Sequence, residues 1–368
     1  MENISLFDLL PEEEAEQYKP KKSTDWKWTF ADYPKEKNGL KVFSCFACGG
    51  GSTMGYKLAG CEVLGCCEID PKMNEVYRKN HNPKYNFLMD IREFNKLPND
   101  QIPEELFHLD ILDGSPPCTT FSMAGDREDS WGKKKKFREG QAEQTLDDLS
   151  FVFIETVAKL KPRCVIMENV EGLLLGEAWS YVQEIYRQLK EIGYQVKHWL
   201  CKGENMGVPQ KRHRVFFVAL RSDVGYDLTD LDMSFNYEPV TYGDIKGGAM
   251  VPLGEDTDYR RLTLAALPED KCIADVNLRL HNKNSGFQSY FVEDSSIIPT
   301  LRAKPDIIDR NEVAYVSKET LIHAQTFPED YDFVRNTMTN AQYVLGMSVP
   351  PVMIKRIVQR LIESGVLG

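Results

Sequence analysis

The 368-residue sequence contains no apolar run long enough to cross a membrane. Its first residues, MENISLFDLLPEEEAEQ, are acidic and lack a small-residue cleavage site. These absences predict a protein that is neither exported nor anchored, and therefore cytoplasmic. A basic surplus is missing as well. The net charge is −11, so any face that binds a polyanion must gather its basic residues locally. Nine cysteines, an odd number scattered along a long chain, exclude a disulfide framework and leave thiol chemistry available. No internal repeat is present. What the chain does have is 42% hydrophobic residues, enough for a sizeable core in one large domain with a smaller companion.

Residues 1–39 mix PEEEAE with KPKKSTDWKW without a clear period and read as an extension that wraps or trails from the main domain. From Lys41 a strand, turn, helix rhythm sets in. KVFSCFA, the glycine cluster CGGGS, a short helix to Ala59 and the strand EVLGCCEID are followed by a helix opened by Pro71 and the strands YNFLMD and LFHLDILDG. Later come a helix ending at Leu160, the strand CVIMENV, a helix from Trp179, and the strands QVKHWLCK and HRVFFVAL. This alternation predicts an α/β fold with a mostly parallel sheet, ligands gathering at the carboxyl ends of its strands. Residues 221–333 lose the rhythm and predict a smaller, irregular or β-rich domain. The helical PPVMIKRIVQRLIES should return to the first domain, which then comprises 40–220 and 334–368.

Four constellations carry chemistry. FACGGGSTMG follows a strand and opens a helix, and Glu68 ends the next strand where it can accept from ribose hydroxyls. Asp90, after the third strand, adds to the case for a nucleoside-containing cofactor. The absence of a Lys-Ser/Thr pair after the glycines excludes a P-loop. Cys118 follows two prolines at a strand end and precedes a glycine-containing segment, the setting of a nucleophile rather than of a core thiol. VIMENVEGLL delivers Glu168 and Asn169 from a nearly all-apolar strand, a desolvated setting that raises a carboxyl pKa. Finally, GVPQKRHRVFFVAL projects Arg212 and Arg214 to one side of a strand, a pairing suited to phosphate or a polarised oxygen. The Lys133–Lys136 run is either a solvated loop or a phosphate contact.

Taken in order, these elements resemble the S-adenosylmethionine-dependent DNA (cytosine-5)-methyltransferases, over residues 41–220 and 296–360. The resemblance implies a Rossmann-like methyltransferase fold with a target-recognition region within about 221–295, acting on double-stranded DNA; a monomer is the default expectation, because a base-flipping enzyme acts on one strand at a time. It implies that Cys118 attacks C6 of a flipped cytosine, Glu168 holds N3 and the exocyclic amine, Arg214 contacts the base oxygen, and Arg212 supports phosphate contacts. The cofactor would lie over Phe46, Ala47, Gly50 and Gly51. Glu68 and Ile69 would meet the ribose, Asp90 and Ile91 the adenine, and Pro117, Met347, Ser348 and Val349 would close the pocket. Ser122, Lys133, Lys134, Gln210 and Arg212 would contact DNA, with no metal required. The chain departs from the common family pattern at Ser44, Cys48, Thr119 and Met347, the last replacing an amide beside the pocket by a thioether.

Two other readings remain open at this level. An RNA cytosine methyltransferase would share the fold, but the Cys-Phe-Thr tripeptide of the tRNA-modifying branch is absent; Cys272 is the only cysteine after Arg221. A zinc or redox module is suggested by the C-x-x-C of Cys45 and Cys48, although both lie in or beside an apolar strand rather than on paired turns.

Overall fold

The computed structural model describes residues 19–117, 149–283 and 288–368. Its centre is a seven-stranded sheet built from β1 (Lys41–Cys45), β2 (Glu62–Glu68), β3 (Tyr85–Leu88), β4 (Ile111–Gly114), β5 (Cys164–Val170), β6 (Tyr194–Lys202) and β8 (His213–Arg221), in the order β3-β2-β1-β4-β5-β8-β6. Only β8 runs against the others, pairing antiparallel with both β5 and β6. The expected mostly parallel sheet is therefore present, with one reversed strand near its edge.

The strands alternate their side chains between two apolar layers, as a pleat of period two requires. Val165 and Met167 of β5 join Phe43, Phe94 and Phe153 on one face. Cys164 and Ile166 join Val42, Tyr56, Phe216 and Ile354 on the other. The covering helices are α1 (Gly51–Leu58), α2 (Pro71–His81), α3 (Ile91–Lys96), α4 (Leu149–Leu160) and α5 (Trp179–Glu191). α2 starts where local chemistry dictates. Asp70 caps it by accepting from the Lys72 and Met73 N–H groups, Pro71 occupies the first turn, and basic residues fill the last. β4 is shorter than LFHLDILDG suggested, because Glu104–Phe107 after Pro103 form a 3-10 turn and strand geometry begins only at Ile111.

The later residues form α6 (Tyr242–Ile245), α7 (Asp258–Leu264), α8 (Ile273–His281) and α9 (Lys318–Ala324) around a small sheet. That sheet comprises β9 (Val251–Pro252), β10 (Tyr290–Val292), β12 (Ile307–Asp309) and β13 (Ala314–Tyr315), ordered β10-β12-β13-β9. This part is more helical than the irregular, β-rich reading expected. At α8 the reason is local, since the Asp275 carboxylate accepts from the Lys271 and Cys272 N–H groups and starts a helix that apolar periodicity alone does not announce. The small β11 (Ile298–Pro299) pairs with β7 (Gln210–Lys211), so this part is tied directly to the strand region leading into β8.

The chain ends in α10 (Met338–Met347) and α11 (Pro351–Glu363). α11 packs on α1 and the large sheet, where Gly55 permits close approach. A Cβ there would stand 2.5 Å from both Ile354 Cβ and the Pro351 carbonyl oxygen. Gly55→Ala is accordingly expected to lower stability by about 1–3 kcal/mol through overpacking, read as a lowered urea midpoint at unchanged m-value. Wild-type stability in the variant would show that the two helices separate freely.

Candidate active site

The carboxyl edge of the sheet gathers most of the predicted residues. β1 runs into a tight turn in which Phe46 and Cys48 take positive φ (57° and 47°), and α1 begins at Gly51. Glu68, at the end of β2, is buried and spans two turns. Its Oε2 accepts from the Cys48 N–H at 2.7 Å and its Oε1 from the Asp70 N–H at 2.8 Å. Burial raises its pKa, opposed by those same N–H groups. Each oxygen retains acceptor capacity beyond its single backbone bond.

Phe46, Cys67, Ile69, Met89, Asp90, Ile91 and Leu149 line a narrow cleft beside this turn. Asp90 caps α3 through the Arg92 N–H at 2.8 Å and lies 3.4 Å from the Arg92 guanidinium. The lining of this slot is apolar apart from the Asp90 carboxylate. A Cβ on Gly51 would stand 2.1 Å from the Val349 carbonyl oxygen, so the missing side chain here admits the chain before α11. Ala47 is buried against Cys66 and Tyr77.

At the end of β5, Glu168 does not stand alone in an apolar setting. Arg214 Nε lies 2.8 Å from its Oε1, and both side chains are largely buried. Burial lowers the Arg214 pKa while Glu168 opposes the shift. Asn169 donates from Nδ2 to the Pro116 carbonyl at 3.3 Å, holding the segment that leads to Pro117. This anchoring of the proline segment depends on strands brought together by the fold.

Gln210 and Arg212 are not where a DNA contact would be. Gln210 is fully buried, donating to the Ala324 carbonyl and Gln325 Oε1 and accepting from the Leu301 N–H. Arg212 is 3% exposed and donates to the carbonyls of Leu301, Gly346 and Ser348 at 3.2, 3.2 and 2.8 Å. Both side chains are spent on internal backbone, so their alternation with Lys211 and His213 reflects burial. Ser348 is also buried, its Oγ donating to the Val344 carbonyl. Met347 lies half-exposed in a separate groove with Val170, Lys211, His213, Arg214, Tyr290 and Arg302, rather than in the cleft beside Phe46. Cys118, Thr119, Ser122, Lys133 and Lys134 lie outside the described residues.

One residue was missed. Asp113, at the end of β4, is 1% exposed and accepts from Ser44 Oγ at 2.5 Å and Tyr56 OH at 3.0 Å. Ser44 departs from a position where the family often has Asp; the carboxylate stands across the β1–β4 pair instead. The remaining thiols suit neither metal nor redox work. Cys48 is pushed up to about 12 by burial and the Glu68 charge, and Cys45, Cys66 and Cys67 are likewise raised by burial. Among the described residues no group of three or more His, Cys, Asp or Glu is placed to hold a metal.

The strand order, with its one reversed strand, defines a Rossmann-like methyltransferase fold. Residues 40–363 match the family model of C-5 cytosine-specific DNA methylases, and the chain belongs to that family. The Type II methyltransferase M.HindV of Haemophilus influenzae is 26% identical over 333 residues, covering 88% of this chain and 97% of that protein. M.FnuDI of Fusobacterium nucleatum is 31% identical over 185 residues, covering 50% of this chain and 48% of that protein. The DNMT2 structure from Spodoptera frugiperda superposes with a TM-score of 0.63 over 88% of this chain and 100% of its own, at 16% identity, a likeness of fold.

Burial pushes the Asp113 carboxyl up to about 7, opposed by the Ser44 and Tyr56 hydroxyls. A folded-state pKa above the unfolded one means that the native state holds its proton longer. Stability should therefore fall as pH rises from about 4 to 7 and level off above, by at most about 4 kcal/mol for this group. Asp113→Asn should flatten that dependence, measured by urea unfolding at pH 5.5 and 8. An identical slope in both proteins would show that Asp113 is already ionised throughout.

Proposed function

We propose that this protein methylates C5 of a cytosine flipped out of duplex DNA, taking the methyl group from S-adenosylmethionine. The observation that carries the reading is the buried Glu168–Arg214 pair at the end of β5, whose arginine lines a groove and whose neighbour Asn169 holds the proline segment that precedes Cys118. A fixed carboxylate and guanidinium suit the N3/amino edge and the oxygen of a cytosine respectively. Family membership supports the same chemistry.

In this reading the Cys118 thiolate adds to C6 while Glu168 holds the proton at N3, so that C5 becomes a carbon nucleophile. S-adenosylmethionine supplies an electrophilic methyl group when bound. Loss of the C5 proton to a base then lets the C5–C6 double bond re-form and expels the cysteine thiolate. In this reading Phe46, Ile69, Asp90 and Ile91 would flank the adenine, Glu68 has acceptor capacity for the ribose hydroxyls, and Val349 would close the turn. Lys211, Arg214 and Arg302 give the groove a positive lining for a duplex, and the part from 221 to about 295 would read the target sequence. The large catalytic domain would comprise 40–220 with 334–368, and 221–333 the smaller one. Monomeric, cytoplasmic action fits an enzyme working on one strand at a time; no helix among the described residues is long and apolar enough to cross a membrane.

Incubating mixed-sequence duplex DNA with the protein and S-adenosylmethionine should yield 5-methylcytosine by nucleoside mass spectrometry. Cys118→Ala should abolish it, and Glu168→Gln should reduce the rate by roughly 10²-fold or more. Product formation by Cys118→Ala at the wild-type rate would refute the covalent route. Preference for tRNA over DNA in direct competition would favour the RNA reading instead.

A further inference from the structure

The family match begins at residue 40, yet residues 19–39 are not a loose appendage. Trp28 is buried, donates from Nε1 to the Thr326 carbonyl at 2.9 Å, and accepts at its own carbonyl from the Glu329 N–H at 2.8 Å. The Phe30 N–H donates to the Asp330 carboxylate at 3.0 Å, and Trp26 meets the His323 ring edge-on at 5.0 Å. The segment is thus a strap laid along residues 323–330, with indole and backbone bonds fixing its register.

What the strap presses on is the back of the glycine turn. The Phe30 ring stands 6.2 Å from His81 and 6.3 Å from Tyr331, centroid to centroid. Those two residues converge on one atom: Tyr331 OH donates to the Gly49 carbonyl at 2.5 Å, and His81 Nε2 lies 3.3 Å from the same oxygen. His81 also fills the space behind Gly50, whose φ of +85° and lack of a side chain allow the ring to sit there; a Cβ would stand 2.0 Å from Nε2. His81 is buried and stays neutral across the physiological range, its pKa lowered to about 3, so its ring sits here as an uncharged donor. A chain of packed rings therefore runs from the strap to the backbone that turns from β1 into α1.

We propose that residues 28–33 form a positioning strap for the cofactor turn, acting through Phe30 on His81 and Tyr331 and thereby on the Gly49–Gly51 backbone. The inference rests on the reading of that turn as the S-adenosylmethionine site. Phe30 lines neither the cleft beside Phe46 nor the groove beside Arg214; it packs on the residues that hold the turn.

Calorimetric binding of S-adenosylmethionine and initial-rate KM values for cofactor and for DNA test it, using the full chain. Phe30→Ala is expected to weaken cofactor binding roughly tenfold, as loss of an aromatic contact would, leaving the KM for DNA unchanged and Phe30→Tyr restoring affinity. Trp26→Ala, which loosens the strap away from the turn, should lower the melting temperature without altering cofactor affinity. Wild-type cofactor affinity in Phe30→Ala would overturn the proposal and leave the strap a stabilising element only; should that variant not fold, Phe30→Leu reads the same affinity. Failure of the unaltered protein to bind S-adenosylmethionine would instead overturn the cofactor reading itself.

Discussion

A guanidinium buried among backbone carbonyls holds this structure's working parts together. Arg212 reaches the carbonyls of Leu301, Gly346 and Ser348, joining the entrance of β8 to the smaller part of the chain and to the junction of α10 and α11. A buried carbonyl left without a donor costs about 1–3 kcal/mol; of the three, that of Ser348 also accepts from Gln325, while the guanidinium's own Nε has no partner, so the charge is held by its two terminal nitrogens. Burial and the neighbouring Arg214 both push the Arg212 pKa well down, and Glu168 opposes them. The same carboxylate therefore steadies two arginines, one turned inward and one facing the groove.

From this constraint the division of labour follows. With Arg212 and Gln210 committed to backbone, the β7–β8 entrance is rigid, and Arg214 is held against Glu168 at the groove wall. Ser348, whose carbonyl Arg212 and Gln325 both engage, is fixed three residues before the start of α11 and lies behind the glycine turn. The cleft beside Phe46 and the groove beside Arg214 are thus shaped by one network. A cofactor at the first and a base at the second would meet at the strand ends between them, where β4 leads through Asp113 toward Cys118.

Much of this was legible beforehand. β5 appears as Cys164–Val170, its apolar run bounded as read, and α2 opens at Pro71 behind its Asp cap, because strand runs and caps are local signals. The smaller part resisted, since its short strands pair with distant partners and α8 depends on a single carboxylate cap. The sequence reading of Gln210 and Arg212 as DNA contacts is not supported by where their side chains lie. Polar residues alternating at a strand entrance look the same whether they face DNA or an internal carbonyl, and only the β7–β11 pairing decides which. Asp113 was passed over because its partners, Ser44 and Tyr56, lie 69 and 57 residues away in sequence.

The assignment of Arg212 to architecture and Arg214 to the groove is tested most directly by comparing Arg212→Lys with Arg214→Lys, each measured for unfolding free energy and for methylation rate at a temperature where it is folded. Lysine cannot span three carbonyls but can keep a charge beside Glu168. Arg212→Lys should lose roughly 2–4 kcal/mol of stability and retain most of its rate, whereas Arg214→Lys should retain stability and lose its rate. A stable Arg212→Lys protein with impaired methylation and a shallower salt dependence of DNA binding would contradict the account and return Arg212 to the phosphate backbone.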